Sequence, residues 1–181
     1  MRRIALDAEF ALGTIYSYFG SKNRLYKSVI ESRVNELIDV ISEEMTGTVA
    51  DREGVKRFIA IKLSFLSQNP AFLRLFLAEI YLPRRDNVHI LPAKVLERYD
   101  SMLRNLTGTI EQGIRKGVFK PMKAEVIAKA LDGLTNAFAL SWLVSEKDIP
   151  IEADIETVTE PFFHGAALDP GTEGTEKKSR K

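Results

Sequence analysis

Hydroxyl-bearing and basic residues lie close together near the start of the sequence. Thr14, Tyr16, Ser17 and Tyr18 carry hydroxyl groups, and Lys22 follows a few residues later. Hydroxyl and ammonium groups donate hydrogen bonds to phosphate oxygens, and the free amides at a helix start can hold a phosphate as well. The chemistry that these residues suit is contact with a nucleic-acid backbone. In the alternative interpretation, the aromatic residues simply pack in a small core.

Two short helices separated by a brief turn are predicted to position these side chains. The first helix is expected at residues 4–8 and the turn at residues 9–11. In the second helix, Ile15, Tyr18 and Phe19 stand at the spacing of residues that pack on one helix face. A helix, a tight turn and a second helix form the geometry that places the second helix in the major groove of DNA.

The rest of the chain has apolar residues at helical spacing, which predicts an all-α protein of seven or eight helices. Further helices are expected at residues 22–45, 54–67, 70–82, 93–119, 124–144 and 151–168. The second and third of these are apolar on more than one face and are expected in the middle of the fold. Residues 83–92 are predicted to be a loop, and residues 169–181, which lack large apolar side chains, a disordered tail.

Composition excludes several classes of protein. The 181 residues are 45% hydrophobic and 28% charged, and they include no cysteine and two histidines. Disulfides and thiolate chemistry are therefore excluded, and neither a metal site nor a cofactor is expected. No apolar run approaches the roughly 18 residues that span a bilayer, so we expect a cytoplasmic protein without membrane contact.

The string G-T-I-Y-S-Y-F-G-S-K at residues 13–22, continued by Leu25 and Val29, resembles the TetR family of bacterial transcriptional regulators. The string I-E-Q-G-I-R-K-G-V-F-K-P at residues 110–121 is similar to the end of that family's long central helix. The resemblance implies a recognition helix followed by a connecting helix, with Ile15 and Phe19 in the core of the head. The residues that it places on double-stranded operator DNA are Leu12, Gly13, Thr14, Ser17 and Tyr18 for the bases, and Tyr16 and Lys22 for the phosphates.

Three departures from the family pattern concern the head. The first of the family's three helices has no counterpart before residue 4, Glu9 replaces a glycine of the turn, and Ala11 replaces the usual Ser or Thr cap. Losing such a cap typically costs about 1 kcal/mol. We therefore expect Ile4, Phe10 and Ile15 to be poorly covered and operator affinity to be weak. The predicted domains are a partial helix-turn-helix head at residues 1–35 and a ligand-binding and dimerisation bundle at residues 36–168.

The resemblance also implies a pocket for a small-molecule effector and a homodimer built from the helices at residues 124–144 and 151–168. Candidate pocket residues are Phe65, Phe72, Phe76, Tyr81, Tyr99, Met102, Asn136 and Trp142. Each of the aromatic candidates could equally be a core residue. In the helix at residues 124–144 the apolar stripe comprises Ile127, Ala130, Leu131, Leu134, Ala137, Phe138 and either Ser141 or Trp142. Candidate dimer residues are Gly133 and Ala137, whose size permits close helix crossing, and Phe162 and Phe163, taken as exposed apolar surface.

The function that the resemblance implies is a repressor that a small, apolar effector releases from DNA. Two functions of different classes are alternatives to it. An enzyme is not expected, because the sequence contains no G-x-S-x-G, H-E-x-x-H or phosphate-binding glycine motif. The alternative is a helical ligand-binding or dimerisation protein that has lost DNA binding. Charge favours the regulator, since residues 1–35 hold six Lys and Arg against three Asp and Glu, whereas the whole chain has a net charge of +1.

Overall fold

The computed structural model describes residues 1–45, 47, 51–81, 91–145 and 151–166, with the side chains of 79–81, 144–145, 151–154 and 166 left aside. Within this part of the chain the secondary structure is helical, which confirms the all-α prediction. The helices are α1 (Arg2–Asp7), α2 (Leu12–Phe19), α3 (Lys22–Met45), α4 (Arg52–Gln68), α5 (Pro70–Tyr81), α6 (Ala93–Arg115), α7 (Ala124–Ser145) and α8 (Ile151–Ala166). Most of the loop predicted at residues 83–92 and the whole predicted tail lie outside the described residues.

Helices α4 and α6 each have one end that differs from its predicted position for a reason visible in the backbone. Helix α4 begins two residues early because the Asp51 side chain accepts a hydrogen bond from the Gly54 amide at 2.9 Å and caps it. Helix α6 ends at Arg115 rather than at residue 119. Gly117 has a φ of +73°, and the Val118 amide bonds back to the Gly113 carbonyl at 2.9 Å, a Schellman ending.

Helix α4 lies at the centre of the bundle, as its apolar sequence predicts. It contacts α3 on one side, α5 and α7 on another, and α8 along its length. Its buried residues therefore point in several directions and include one charged side chain, Lys62. Helix α6 packs against α3 and α7 and completes the core. None of the helices in the described residues has the length and apolarity needed to cross a bilayer.

Helix α7 has its inner face rotated relative to the stripe predicted from its sequence. Ala130 and Ala137, which belong to the predicted apolar stripe, are exposed, whereas three polar residues outside that stripe are buried. The buried residues are Ala124, Ile127, Ala128, Leu131, Asp132, Thr135, Asn136 and Ala139. The predicted stripe followed apolar residues, but Asp132 and Asn136 face inward and bond to each other, and Asp132 also bonds to α4 and α6. Thr135 bonds to the Leu131 carbonyl of its own helix.

The head consists of α1 and α2, which contact each other, with α2 also contacting α3. Ile4 and Phe10 are 43% and 59% exposed, as expected. The same expectation for Ile15 is wrong: it is 7% exposed, because α1 and α3 both pack against α2. Glu9 has a φ of +57°, in the left-handed region that favours glycine, and Ala11 offers no side-chain cap to α2.

Candidate functional site

The outer surface of α2 carries most of the residues predicted to contact DNA. Gly13, Tyr16, Ser17 and Tyr18 are exposed, Tyr16 at 45% and Tyr18 at 80%. Leu12 and Thr14 are half-buried. The Ser17 hydroxyl donates to the Thr14 carbonyl at 2.8 Å, which leaves its oxygen lone pairs for an incoming donor. The candidate DNA face is therefore a hydroxyl-rich surface whose individual roles stay predictions.

The turn into α3 holds Lys22 at the first residue of that helix. Gly20 has a φ of +69°, in the left-handed region, so glycine suits the backbone of this turn. Ser21 accepts a hydrogen bond from the Arg24 amide at 3.2 Å and caps α3. Lys22 is exposed beside these helix-start amides, an arrangement suited to a phosphate.

A cavity of about 220 Å³ opens between α3, α4 and α6. Its walls combine apolar side chains with a few polar groups, as in small-molecule sites. The lining residues are Ile41, Ser42, Met45, Phe58, Met102, Asn105, Leu106 and Thr109. Of the predicted pocket residues, Met102 is the one that lines this cavity. Ile41 and Met45 come from α3, the helix that begins beside the DNA face, and the sequence prediction missed them.

Most of the predicted pocket aromatics form a row inside the core. Phe65 and Phe72 meet edge to face at 5.9 Å between ring centroids, Phe72 and Phe76 are 5.4 Å apart, and Phe76 and Tyr99 are 6.1 Å apart. The three phenylalanines are buried, as the core interpretation of these residues expected. Trp142 is half-buried against the same core. Tyr81 is the last residue of α5, and its side chain lies outside the described residues.

The row ends at a buried polar cluster, which we define as Lys62, Tyr99, Asp132 and Asn136. The Lys62 ammonium donates to Asp132 and lies 3.3 Å from the Tyr99 hydroxyl. Tyr99 donates to the Asp132 carboxylate, at 2.9 and 3.1 Å from its two oxygens, and the Asn136 amide nitrogen donates to Asp132 at 3.3 Å. The cluster therefore joins α4, α6 and α7 through one carboxylate.

Burial and ion pairing oppose each other at Lys62. The side chain has no exposed surface, and this desolvation lowers the pKa of Lys62 below its ordinary 10.5, while the Asp132 carboxylate acts in the other direction. Asn136 and Tyr99 were predicted site residues, but the sequence prediction missed Lys62 and Asp132. The available indication was a lysine four residues after Phe58 in a segment apolar on several faces, where a charge needs a partner.

The predicted dimer residues fall into two groups. Ala137 is exposed, and Gly133 is half-buried with open space where a Cβ would stand. Phe162 and Phe163 are buried inside the chain, where Phe162 contacts Phe119 edge to face and the Arg52 guanidinium lies over Phe163. The expectation that these two phenylalanines form exposed apolar surface is therefore wrong, since they close the contact between α8 and the core.

Comparison with known proteins adds relatives of matching length. No protein-family model matches the chain. An uncharacterized HTH-type transcriptional regulator, YhgD of Bacillus subtilis, is 26% identical over 162 residues, which cover 87% of this chain and 78% of that protein. A bacterial regulatory protein of the TetR family from Rhodococcus RHA1 superimposes with a TM-score of 0.73 at 18% identity, over 93% of this chain and 86% of that one. The chain has the TetR-family fold.

A second TetR-type structure is the transcriptional regulator FadR from Bacillus subtilis in complex with stearoyl-CoA. It is 22% identical, with a TM-score of 0.70, and the match covers 91% of this chain and 87% of FadR. The TetR-like fold that the resemblance of residues 13–22 implies is confirmed by these comparisons. The relatives with the TetR fold are transcriptional regulators, which are not enzymes.

Proposed function

We propose that the chain is a cytoplasmic, ligand-responsive transcriptional repressor. In this proposal it binds operator DNA as a homodimer through α2 and is released when a small apolar effector occupies the cavity between α3, α4 and α6. The observation that supports this proposal is that α3 runs from the candidate DNA face to the cavity. Lys22 at its start belongs to the candidate DNA face, and Ile41 and Met45 near its end line the cavity.

Helix α3 supplies a mechanical connection between the two sites. Its 24 residues span about 36 Å at 1.5 Å per residue. Arg98 of α6 binds Asn35 and Asp39 near the middle of α3, so a shift of α6 around a ligand is passed to α3. Release of DNA additionally requires that the effector bind one arrangement of the helices more tightly than the other.

The cavity supports an effector with a small apolar part. Phe58, Met102 and Leu106 supply apolar wall, and the volume of about 220 Å³ exceeds that of an engineered cavity of about 150 Å³ that binds benzene. FadR, which shares the fold, was crystallised with stearoyl-CoA. That likeness supports an acyl chain as the class of effector, with a short segment of it held in this cavity.

An exposed stripe on α7 supports the homodimer. Its members are apolar and recur on one side of the helix, with the smallest in the middle: Val126, Ala130, Gly133, Ala137 and Leu140. Small residues allow another helix to approach closely, and an exposed apolar patch of this kind marks an interaction surface. We place the dimer contact on this stripe rather than on the buried phenylalanines of α8.

The second candidate is a ligand-binding or dimerisation protein without DNA binding. One observation favours it: the head contains a strained backbone position at Glu9 and an uncapped helix at Ala11. Both features weaken the head in which the DNA face lies. A direct measurement of DNA binding therefore decides between the two candidates.

The test is a titration of the full chain against a fluorescent duplex from the DNA upstream of its own coding region, at several salt concentrations. We expect a salt-dependent complex, and Lys22→Ala should weaken it and reduce the slope of log affinity against log salt by about one. Lys116→Ala is the matched control, since Lys116 is an exposed lysine at the far end of α6. Equal binding by both variants, or no binding by the wild-type chain, would refute the repressor proposal.

A further inference from the structure

One atom of the polar cluster lacks a partner. Among the buried polar side chains, Thr135 and Thr159 bond to carbonyls of their own helices, and the ammonium and carboxylate of the cluster bond to each other. Within the described part of the chain, Asn136 Oδ1 is the buried side-chain atom without a hydrogen-bond partner. Buried carbonyl oxygens without donors are rare, so this one is an acceptor open to a donor on a bound molecule.

The Asp132 carboxylate fixes which end of the Asn136 amide is unpartnered. The amide nitrogen lies 3.3 Å from Asp132 Oδ2 and donates to it. Rotating the amide by 180° would place its oxygen against the carboxylate, so that two acceptors face each other. The unpartnered end is therefore the oxygen, and it requires a hydrogen-bond donor.

The polar cluster lies one helical turn from the cavity. Lys62 follows the cavity residue Phe58 by four positions on α4, with its ammonium 6.0 Å from the centre of the Phe58 ring. Tyr99 precedes the cavity residue Met102 by three positions on α6. Two of the three helices that form the cavity walls thus also hold half of the polar cluster, and Asp132 and Asn136 join it from α7. An elongated ligand would have its apolar part in the cavity and its polar part at the cluster.

Charge selects the kind of polar group. The cluster contains one ammonium and one carboxylate in direct contact, so its formal charges cancel. An anionic group near Asn136 would face the Asp132 carboxylate, and a cationic group would face the Lys62 ammonium, in surroundings where burial strengthens both repulsions. A neutral group avoids both.

We infer that the polar cluster is the polar end of the effector site, where Asn136 Oδ1 accepts a hydrogen bond from a neutral donor group such as a hydroxyl or a carboxamide. This inference rests on the proposed function, because it assigns the cavity to an effector. It narrows the effector from an apolar molecule to one that combines an apolar chain with a neutral donor, and it disfavours a free carboxylate.

The test compares three probes that share one chain: octanamide, methyl octanoate and octanoate. The amide donates hydrogen bonds, the ester keeps the carbonyl without a donor, and the carboxylate is anionic at pH 7. We expect calorimetric titration of the full-length wild-type chain, without DNA, to show octanamide binding about tenfold more tightly than either of the others, as one added hydrogen bond permits.

Asn136→Leu should remove the preference for the amide over the ester, because it removes the acceptor. Thr135→Val is the matched control: it alters a neighbouring buried residue whose hydroxyl bonds within α7, and the preference should survive. Thermal melting establishes that each variant is folded, and the comparison of probes on the wild-type chain needs no variant.

Equal affinities for amide and ester, a preference for octanoate, or no binding of any probe overturns the inference. Because no DNA is used, these outcomes are separate from those of the operator titration.

Discussion

Glu9 and Ala11 offer a way to stabilise the head without altering its candidate DNA face. We expect the double substitution Glu9→Gly/Ala11→Ser to make α2 harder to unfold and, on the proposed function, to tighten DNA binding. Glu9 is held at a φ of +57°, and Ala11 already has the extended backbone of an N-cap, with a φ of −62° and a ψ of 140°. Both substitutions therefore fit the backbone as it stands.

The magnitude follows from the two local defects. A left-handed conformation costs a residue with a side chain about 1 kcal/mol, of which about 0.5 kcal/mol is offset by the greater freedom of glycine in the unfolded chain. A serine cap contributes about 1 kcal/mol. Together the head should gain about 1.5 kcal/mol, which lowers its opening equilibrium about tenfold. Residues 9 and 11 are close enough in the chain that the effects of the two substitutions need not add, so each single variant is measured as well.

The assay is native-state hydrogen exchange of the α2 amides, with operator titration in parallel. We expect about tenfold slower exchange at Tyr16 to Phe19 and unchanged exchange in the α4 core. Glu9→Ala and Ala11→Val are the controls: the first removes the charge but keeps a Cβ, and the second adds bulk without an acceptor. If Glu9→Ala protects α2 as well as Glu9→Gly does, charge rather than backbone strain is responsible and the reasoning fails.

Two further substitutions test the links between helices. Lys62→Met should destabilise the chain by about 3 to 5 kcal/mol in urea unfolding, because it leaves Asp132 as an unpaired buried charge. The double variant Lys62→Met/Asp132→Leu should recover most of the lost stability. Full stability in the single variant would contradict the buried ion pair. Since the pKa of Lys62 is lowered in the folded chain, the unfolded chain binds more protons than the folded chain at pH values between that pKa and 10.5. In this pH range the stability of the wild-type chain should therefore rise with pH relative to that of the double variant. Arg98→Met removes a partly exposed link between α6 and α3, so it should lower the free energy of unfolding by less than about 1 kcal/mol. It should nevertheless reduce the effect of the effector on DNA affinity. Arg33→Met removes an ion pair that lies within α3, and it should leave that effect intact.

The sequence predicted the helical order well because each helix has a clear period and recognisable ends. Helix α3 has the predicted bounds, and the cap at Ser21 and the left-handed Gly20 explain its sharp start. Helix α6 was predicted to run too far because the periodic apolar residues continue past Gly117. There the left-handed glycine ends the helix even though Val118 and Phe119 remain apolar and pack against the core.

The sequence did not predict the orientation of α7, and for the same reason it missed half of the polar cluster. Periodicity gives the spacing of the buried face, but the predicted stripe followed the apolar residues and left out Asp132, Thr135 and Asn136, although Asn136 was a pocket candidate. Asp132 is buried against Lys62, which lies 70 residues earlier in the chain, and Asn136 bonds to Asp132 in turn. The local pattern around Lys62 indicates that a buried charge needs a partner, but it does not say which residue that partner is, so the folded arrangement is needed to identify Asp132.

Consecutive residues of α6 link the two sites in the proposed mechanism. Tyr99 donates to the Asp132 carboxylate within the polar cluster, and Arg98 binds Asn35 and Asp39 on α3. A ligand group bound at Asn136 competes for space and hydrogen bonds around Tyr99, and any displacement of Tyr99 moves Arg98 with it. The connection is contiguous from the unpartnered amide oxygen to the helix that begins beside the DNA face. Because coupling between two binding sites is reciprocal, DNA should then weaken effector binding by the same factor by which effector weakens DNA binding.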